Sequence, residues 1–354
     1  MLSVTPNTAL KFTKLSVIIM GCWPPPLNAT KKQLLLRDVY WWSTLVIALL
    51  LILALINGIF EYRHNTLITV QTTCILAGVS QSIIQEMENF VEQANSLEKV
   101  ILQNYVNKCW IFHLTMSIGF YVICFGLVLG PAILSQPFPT FAKYPFKVDS
   151  HPIYEIVYFQ QAFVGILAAV GGTIDCQNAV LLWFTSARFE ILSIELSRLM
   201  DLDNINYYIR KHLQLLKYAR DVVLSVRYII FITNCITTLI MIFGALQIIF
   251  AKSTTIKIQF IILLIGATIQ MFICSHPAEH LSEMSIAVGL SIYNSNWIGK
   301  SSKVLKNMCI LVQRSQKPII ITINGVIPAL SLKYYTSFLS SSFSYFTTLR
   351  AVVT

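Results

Sequence analysis

Four hydroxyl-bearing residues near the end of the chain, Ser337, Ser341, Ser344 and Thr348, follow one another at steps of 4, 3 and 4. On a helix that spacing sets all four along one face. Hydrocarbon offers hydroxyls no partner, so a face of this kind turns to water or to protein. Two uses remain open from spacing alone. One is the wall of a pore; the other, commoner one is helix packing, where Ser and Thr are favoured for their size and can bond back to the preceding turn. Lys333 lies in the same run, where a lysine must snorkel, pair or face water. Snorkelling is the simpler reading, because a ring of lysines would repel permeating cations.

Asp175 follows Gly171-Gly172 in another apolar run. A carboxylate there needs a donor, from Arg188 or from another helix, and a structural role is favoured over ion binding. His212 has no companions at ligand spacing, so no metal is expected. No nucleophile-base set is identifiable in the chain, which argues against an enzyme and against a cofactor. Aromatic residues gather elsewhere: Tyr154, Tyr158, Phe159 and Phe163 follow a segment carrying Phe138, Phe141, Tyr144 and Phe146. Rings with few charges suit a small, mostly apolar ligand, with Gln160 and Gln161 as hydrogen-bonding groups. Some of these rings are also what an aromatic belt at the lipid interface requires.

The elements that position these residues are set by composition. Of 354 residues, 55% are hydrophobic and 12% charged, with mean hydropathy +0.66; soluble domains carry roughly 25% charged residues. No linker divides the chain, so a single membrane domain over 1–354 is expected. The net charge of +10 comes without a nucleic-acid-binding motif, so no nucleic acid is expected as a partner. Lys11 and Lys14 precede a short apolar run, but Trp23-Pro24-Pro25-Pro26 follows without a cleavage site, so the segment is expected to be retained.

Crossing about 30 Å of hydrocarbon takes about 20 apolar residues at about 1.5 Å each. Seven runs qualify: 39–60, 66–85, 114–134, 156–174 with a helical continuation towards Phe184, 228–250, 258–275 and 318–349. The expected class is all-α, integral membrane, with seven transmembrane helices. Counted by connecting segment, 19 of the 26 Lys and Arg fall on the side of the N-terminus and six on the other, with Lys333 in the last run. The positive-inside rule then predicts a cytoplasmic N-terminus and an extracellular C-terminus. The expected layout is a cytoplasmic segment 1–38, six spans with their loops over 39–275, a cytoplasmic helical segment 276–317, and a last helix with a short external tail over 318–354. In segment 185–227, Tyr208, His212, Leu215, Leu216, Ala219, Val222 and Val223 recur at helical spacing. Leu281, Met284, Val288, Trp297, Val304, Leu305 and Met308 continue such a pattern in 276–317. Both predict helices packed on each other or on a partner subunit. No disulfide is expected from the cysteine placement, and Asn28-Ala29-Thr30 lies on the cytoplasmic side, where it stays unglycosylated.

The inverted orientation separates this chain from G-protein-coupled receptors, as does the lack of Asp/Glu-Arg-Tyr after the third span and Asn-Pro-x-x-Tyr in the seventh. Its C-terminal stretch carries Trp297, Gln316-Lys317-Pro318, Ala329-Leu330-Ser331-Leu332 and Ser342-Phe343-Ser344-Tyr345-Phe346-Thr347-Thr348-Leu349-Arg350. Together with Gly21-Cys22-Trp23-Pro24 and Thr173-Ile174-Asp175, these resemble the insect odorant receptor family. The resemblance implies a ligand-gated, non-selective cation channel in the plasma membrane of olfactory sensory neurons, binding a small volatile odorant. It also implies a hetero-oligomer, a tetramer with an obligate coreceptor, with cytoplasmic helices forming an anchor between subunits. By the same resemblance, Ser337, Ser341, Ser344, Tyr345 and Thr348 would line the pore. The ligand would lie among the outer halves of spans two to six, where Val70, Cys74, Phe125, Tyr158, Gln161, Phe163 and Phe243 are the candidates. The coreceptor ends differently, with Thr-Tyr-Phe and a later Gln, and has a larger second internal loop, so the likeness is to an odorant-tuning subunit. Gustatory relatives end in Thr-Tyr and Gln-Phe, which is missing here. The alternative is a secondary transporter, although no inverted repeat is visible.

Overall fold

The computed structural model describes residues 5–18, 30, 32–33, 39, 73–133, 138–139, 144, 146–148, 150–198, 205–250, 254–323 and 327–353. Most of the first expected span and the start of the second therefore lie outside the described residues. Eight helices are bounded: α1 Pro6–Ile18, α2 Thr73–Gln93, α3 Ser96–Ile133, α4 Ile153–Ser197, α5 Ile205–Phe250, α6 Thr254–Tyr293, α7 Ser302–Ser315 and α8 Leu332–Val353. Among the described residues the only β pairing is an isolated bridge between Ile323 and Ile327, in the connection from α7 to α8.

Helix length governs the architecture. The 45 residues of α4 and 46 of α5 make rods of about 68 Å, more than twice the hydrocarbon thickness of about 30 Å. Each is thus a span joined to an extension of similar length. The join in α5, around Ser225–Val226–Arg227, contains neither Gly nor Pro, and nothing breaks the backbone ladder there. In α4 the continuation reaches Ser197, beyond the expected Phe184. Its Gly171-Gly172 pair is tolerated for a packing reason. A Cβ on Gly172 would come within 2.6 Å of the Phe120 ring of α3, so the missing side chain lets α3 and α4 close up.

Among the described residues four helices, α3 to α6, are long and apolar enough to cross a membrane. The 22 residues of α8 are also long enough to span it, though serines dilute their apolar character. α4 packs most extensively against α6, then against α3, while α8 rests on α5 and α6. The large core lies in the extensions: Leu182, Phe189, Ile191, Leu192, Leu215, Leu216, Ala219, Val222, Leu281, Val288 and Ile292 are all buried. Amphipathic α7 closes it with Val304, Met308 and Leu311, one stripe at steps of 4 and 3.

Candidate functional site

The start of α8 is tied to the body of the protein. Ser331 caps it, its Oγ accepting from the Tyr334 backbone N–H at 3.1 Å, and this satisfies one of the helix's orphan donors. The Leu332 N–H donates to Glu279 Oε2 of α6 at 3.1 Å. Tyr334 accepts from Asn234 Nδ2 of α5 at 2.9 Å, and the Tyr335 ring meets Phe272 of α6 at 5.5 Å.

Beyond this anchored end, α8 is two-faced. Ser337, Ser341, Ser344, Tyr345 and Thr348 are all exposed, whereas Phe338, Ser342, Phe346 and Leu349 are half-buried. The apolar side therefore seats on α5 and α6, and the hydroxyl face turns away from the other described helices. Part of the hydroxyl complement is used locally: Thr347 and Thr348 both donate to the Ser344 carbonyl at 2.9 Å, the back-bonding expected of Thr in a helix. Lys333 is exposed.

Asp175 lies at the centre of the helix assembly and is fully buried. Its carboxylate accepts from Gln270 Nε2 of α6 at 2.7 Å and from Thr233 Oγ1 of α5 at 3.2 Å. Of the two sources weighed for its donor, other helices supply it. Arg188 is occupied with Glu86 at 2.7 Å and lies over the Tyr218 and Phe90 rings at 4.5 and 4.8 Å. Asn234, the residue after Thr233, makes a separate contact with Tyr334. One group of polar residues, making two separate sets of contacts, therefore involves α4, α5, α6 and α8. Its members Gln270, Thr233, Asn234 and Tyr334 were not singled out in the sequence. The available signal was that three of them are polar residues inside apolar runs.

At the other end of α4 the aromatic residues converge. Phe138 and Tyr154 rings lie 5.0 Å apart, Tyr154 and Tyr158 6.4 Å, and Tyr144 and Phe146 5.4 Å. Tyr158 donates to the Val128 carbonyl of α3 at 2.6 Å. Gln161 is buried and its Nε2 donates to the Tyr144 hydroxyl, which in turn donates to Gln160 Oε1, both at 3.3 Å. Phe163 and Phe243 are half-buried. Phe125 is 64% exposed on α3. Val70 and the side chain of Cys74 lie outside the described residues. The structure thus brings Tyr158 and Gln161 near Tyr144, Tyr154 and Phe138, aromatic rings accompanied by a few hydrogen-bonding groups.

Comparison with known proteins bears on the family and the fold. The family model described as 7tm Odorant receptor matches residues 79–343. Odorant receptor 13a of Drosophila melanogaster is 24% identical over 256 residues, which cover 64% of this chain and 60% of the fly protein. The chain thus spans less than two thirds of that relative's length. Odorant receptor Or2 of Anopheles gambiae is 34% identical over 83 residues, covering 23% of this chain and 22% of that protein. Among solved structures, the insect olfactory receptor OR5 from Machilis hrabei superposes with a TM-score of 0.76 at 15% identity, over 98% of both chains. The same receptor in complex with eugenol gives 0.71 at 14% identity, again over 98% of both. At such identities the superposition speaks for the fold.

Proposed function

This chain belongs to the 7tm odorant receptor family, and we propose that it is the odorant-tuning subunit of a ligand-gated, non-selective cation channel. The family is one of receptors, not enzymes, and the chain is a multi-pass membrane protein of all-α fold. The single observation that supports a channel is the division of α8. Its apolar side is seated on α5 and α6, while Ser337, Ser341, Ser344, Tyr345 and Thr348 face outward. In a bilayer an exposed hydroxyl face is costly unless water or another subunit meets it. A central pore shared with the coreceptor in a tetramer supplies both. Tyr158 and Gln161, with Phe163 and Phe243, are the residues this reading assigns to the ligand, and the ring contacts and hydrogen bonds around Tyr158 and Gln161 support it. One relative of the same fold was solved with eugenol, a small molecule of the size and polarity such an aromatic site takes. In this reading the N-terminus is cytoplasmic, the C-terminus extracellular, and the membrane is the plasma membrane of olfactory sensory neurons. Among the described residues no feature of the helix packing favours a transporter.

The testing experiment co-expresses the chain with the coreceptor and applies an odorant panel with G-protein signalling blocked. Current within milliseconds of odorant is expected. Loss of current under that block, or substrate accumulation without channel conductance, would remove the reading.

A further inference from the structure

Five consecutive residues of α6 read His276-Pro277-Ala278-Glu279-His280. Residues four apart on a helix lie one above the other on the same face, and two histidines so placed are the pair with which metal-binding helices hold zinc. α6 runs through Pro277 as one helix from Thr254 to Tyr293, so the spacing applies here. The two rings lie together. Trp183 of α4 meets the His276 ring at 5.1 Å and the His280 ring at 5.0 Å. Phe272 stacks on His276 at 5.5 Å, and Tyr105 of α3 meets His280 edge-on at 5.5 Å, so aromatic neighbours limit the rotation of both imidazoles. Nitrogen atoms are left over: His276 is exposed and His280 half-buried, and the buried His280 Nδ1 has no hydrogen-bond partner among the described residues.

We propose that His276 and His280 together chelate a divalent first-row transition-metal ion such as Zn²⁺, with water in its remaining positions. Imidazole nitrogens select this class over Mg²⁺ and Ca²⁺, which take oxygen ligands. Neighbouring charge favours a cation as well, because the carboxylates of Glu283 and Glu190 act on His280 against the ammonium of Lys108. Burial, and then Lys108, hold the His280 imidazole below its usual range, which keeps it in the neutral form that a metal requires. The order His-x-x-Glu-His is also that of one class of zinc peptidase, but hydrolysis does not follow from it here. Glu279, which stands where such a peptidase has its base, accepts from the Leu332 N–H at 3.1 Å. A catalytic zinc takes three protein ligands, and among the described residues no group of three or more His, Cys, Asp or Glu is placed to hold a metal ion. Two histidines bind the ion without supplying that chemistry.

The test is equilibrium dialysis of the purified full-length chain, freed of any histidine tag, against Zn²⁺, with bound metal measured by inductively coupled plasma mass spectrometry. Saturable binding is expected, displaced by Cu²⁺ and Ni²⁺ and untouched by excess Mg²⁺. His276→Ala and His280→Ala should each weaken it by more than about tenfold, since even the outer partner of a metal ligand is worth about 10–100-fold. His276 is exposed, so its variant keeps the packing and should melt with the metal-free parent. Zn²⁺ should raise the melting midpoint of the parent, as any ligand of the native state does, and leave that of His276→Ala unmoved. His151→Ala, which removes an exposed histidine paired with Glu155, should bind like the parent. Absence of saturable binding would overturn the proposal, as would equal affinity in the parent and His276→Ala. So would displacement by Mg²⁺, or loss of binding in His151→Ala.

Discussion

The spans and the extensions of the same helices treat apolar side chains in opposite ways. Along the spans, Ile118, Val122 and Phe125 of α3, Ile156 and Phe159 of α4, and Ile258, Ile261 and Ile265 of α6 are exposed. Along the extensions, Leu182, Leu192, Ala219, Val222, Leu281 and Val288 are wholly buried. Lipid tails are as apolar as these side chains, so nothing drives them inward within the bilayer, and helices there associate through packing and polar contacts. Outside it, water drives burial. The difference teaches that burial away from water builds the core of the extensions, while the spans are held to one another by close packing and polar contacts.

Substitution can break this contrast most sharply at the centre of the extension core. Leu182→Ala should cost about 2–5 kcal/mol through lost burial and the cavity left behind, whereas Phe159→Ala on the lipid-facing side should stay within about 0.5 kcal/mol. Thermal unfolding of the detergent-solubilised protein, followed by size-exclusion chromatography, measures both. Equal losses would abolish the distinction between the two regions.

Glycine offers a finer comparison. Gly172→Ala places a methyl against the Phe120 ring and should cost about 1–3 kcal/mol by overpacking. Gly119→Ala, with nothing within 4 Å of its added Cβ, should stabilise α3 by up to about 1 kcal/mol through helix propensity. The same melting assay separates them by sign.

Polar contacts are the glue where lipid gives none, and Gln270→Leu tests the one that reaches the buried carboxylate. It leaves the Asp175 carboxylate with Thr233 and should destabilise by about 1–3 kcal/mol, with Gln270→Asn recovering part of the loss. A Leu variant that melts like the parent would show that the buried carboxylate does not hold the spans together. The smallest expected change follows Tyr334→Phe, which removes the Asn234 contact at the base of α8. A loss of about 1 kcal/mol, together with a shifted odorant dose-response in the co-expressed channel, would mark that contact as a link between the helix body and α8. An unchanged dose-response would confine its role to folding.

Particular residues show how far the sequence could be read. The run 228–250 was legible as a span because hydrocarbon demands about 20 apolar residues in succession. The amphipathic stretch around His212 to Val223 was legible as a helix from its spacing. Their fusion into one rod was harder to see. A charged, amphipathic segment followed by an apolar one resembles a loop helix beside a span, although the absence of Gly and Pro around Ser225 permitted continuity. The hydroxyl periodicity of α8 was visible too, but a helix wheel cannot say which side its own chain will cover. Asp175 announced a need for donors without naming them, since Gln270 and Thr233 are 95 and 58 residues away.

What the sequence alone determined was the solvent of each segment: apolar length marks hydrocarbon, and basic and amphipathic stretches mark water. Those properties are local, because transfer free energy belongs to each side chain. Tertiary structure alone decided that α4 and α5 run on into a common core, that α8 turns its serines outward, and that Asp175 meets Gln270. Each of these depends on how distant helices pack, where interaction follows from geometry across the fold and not from separation along the chain.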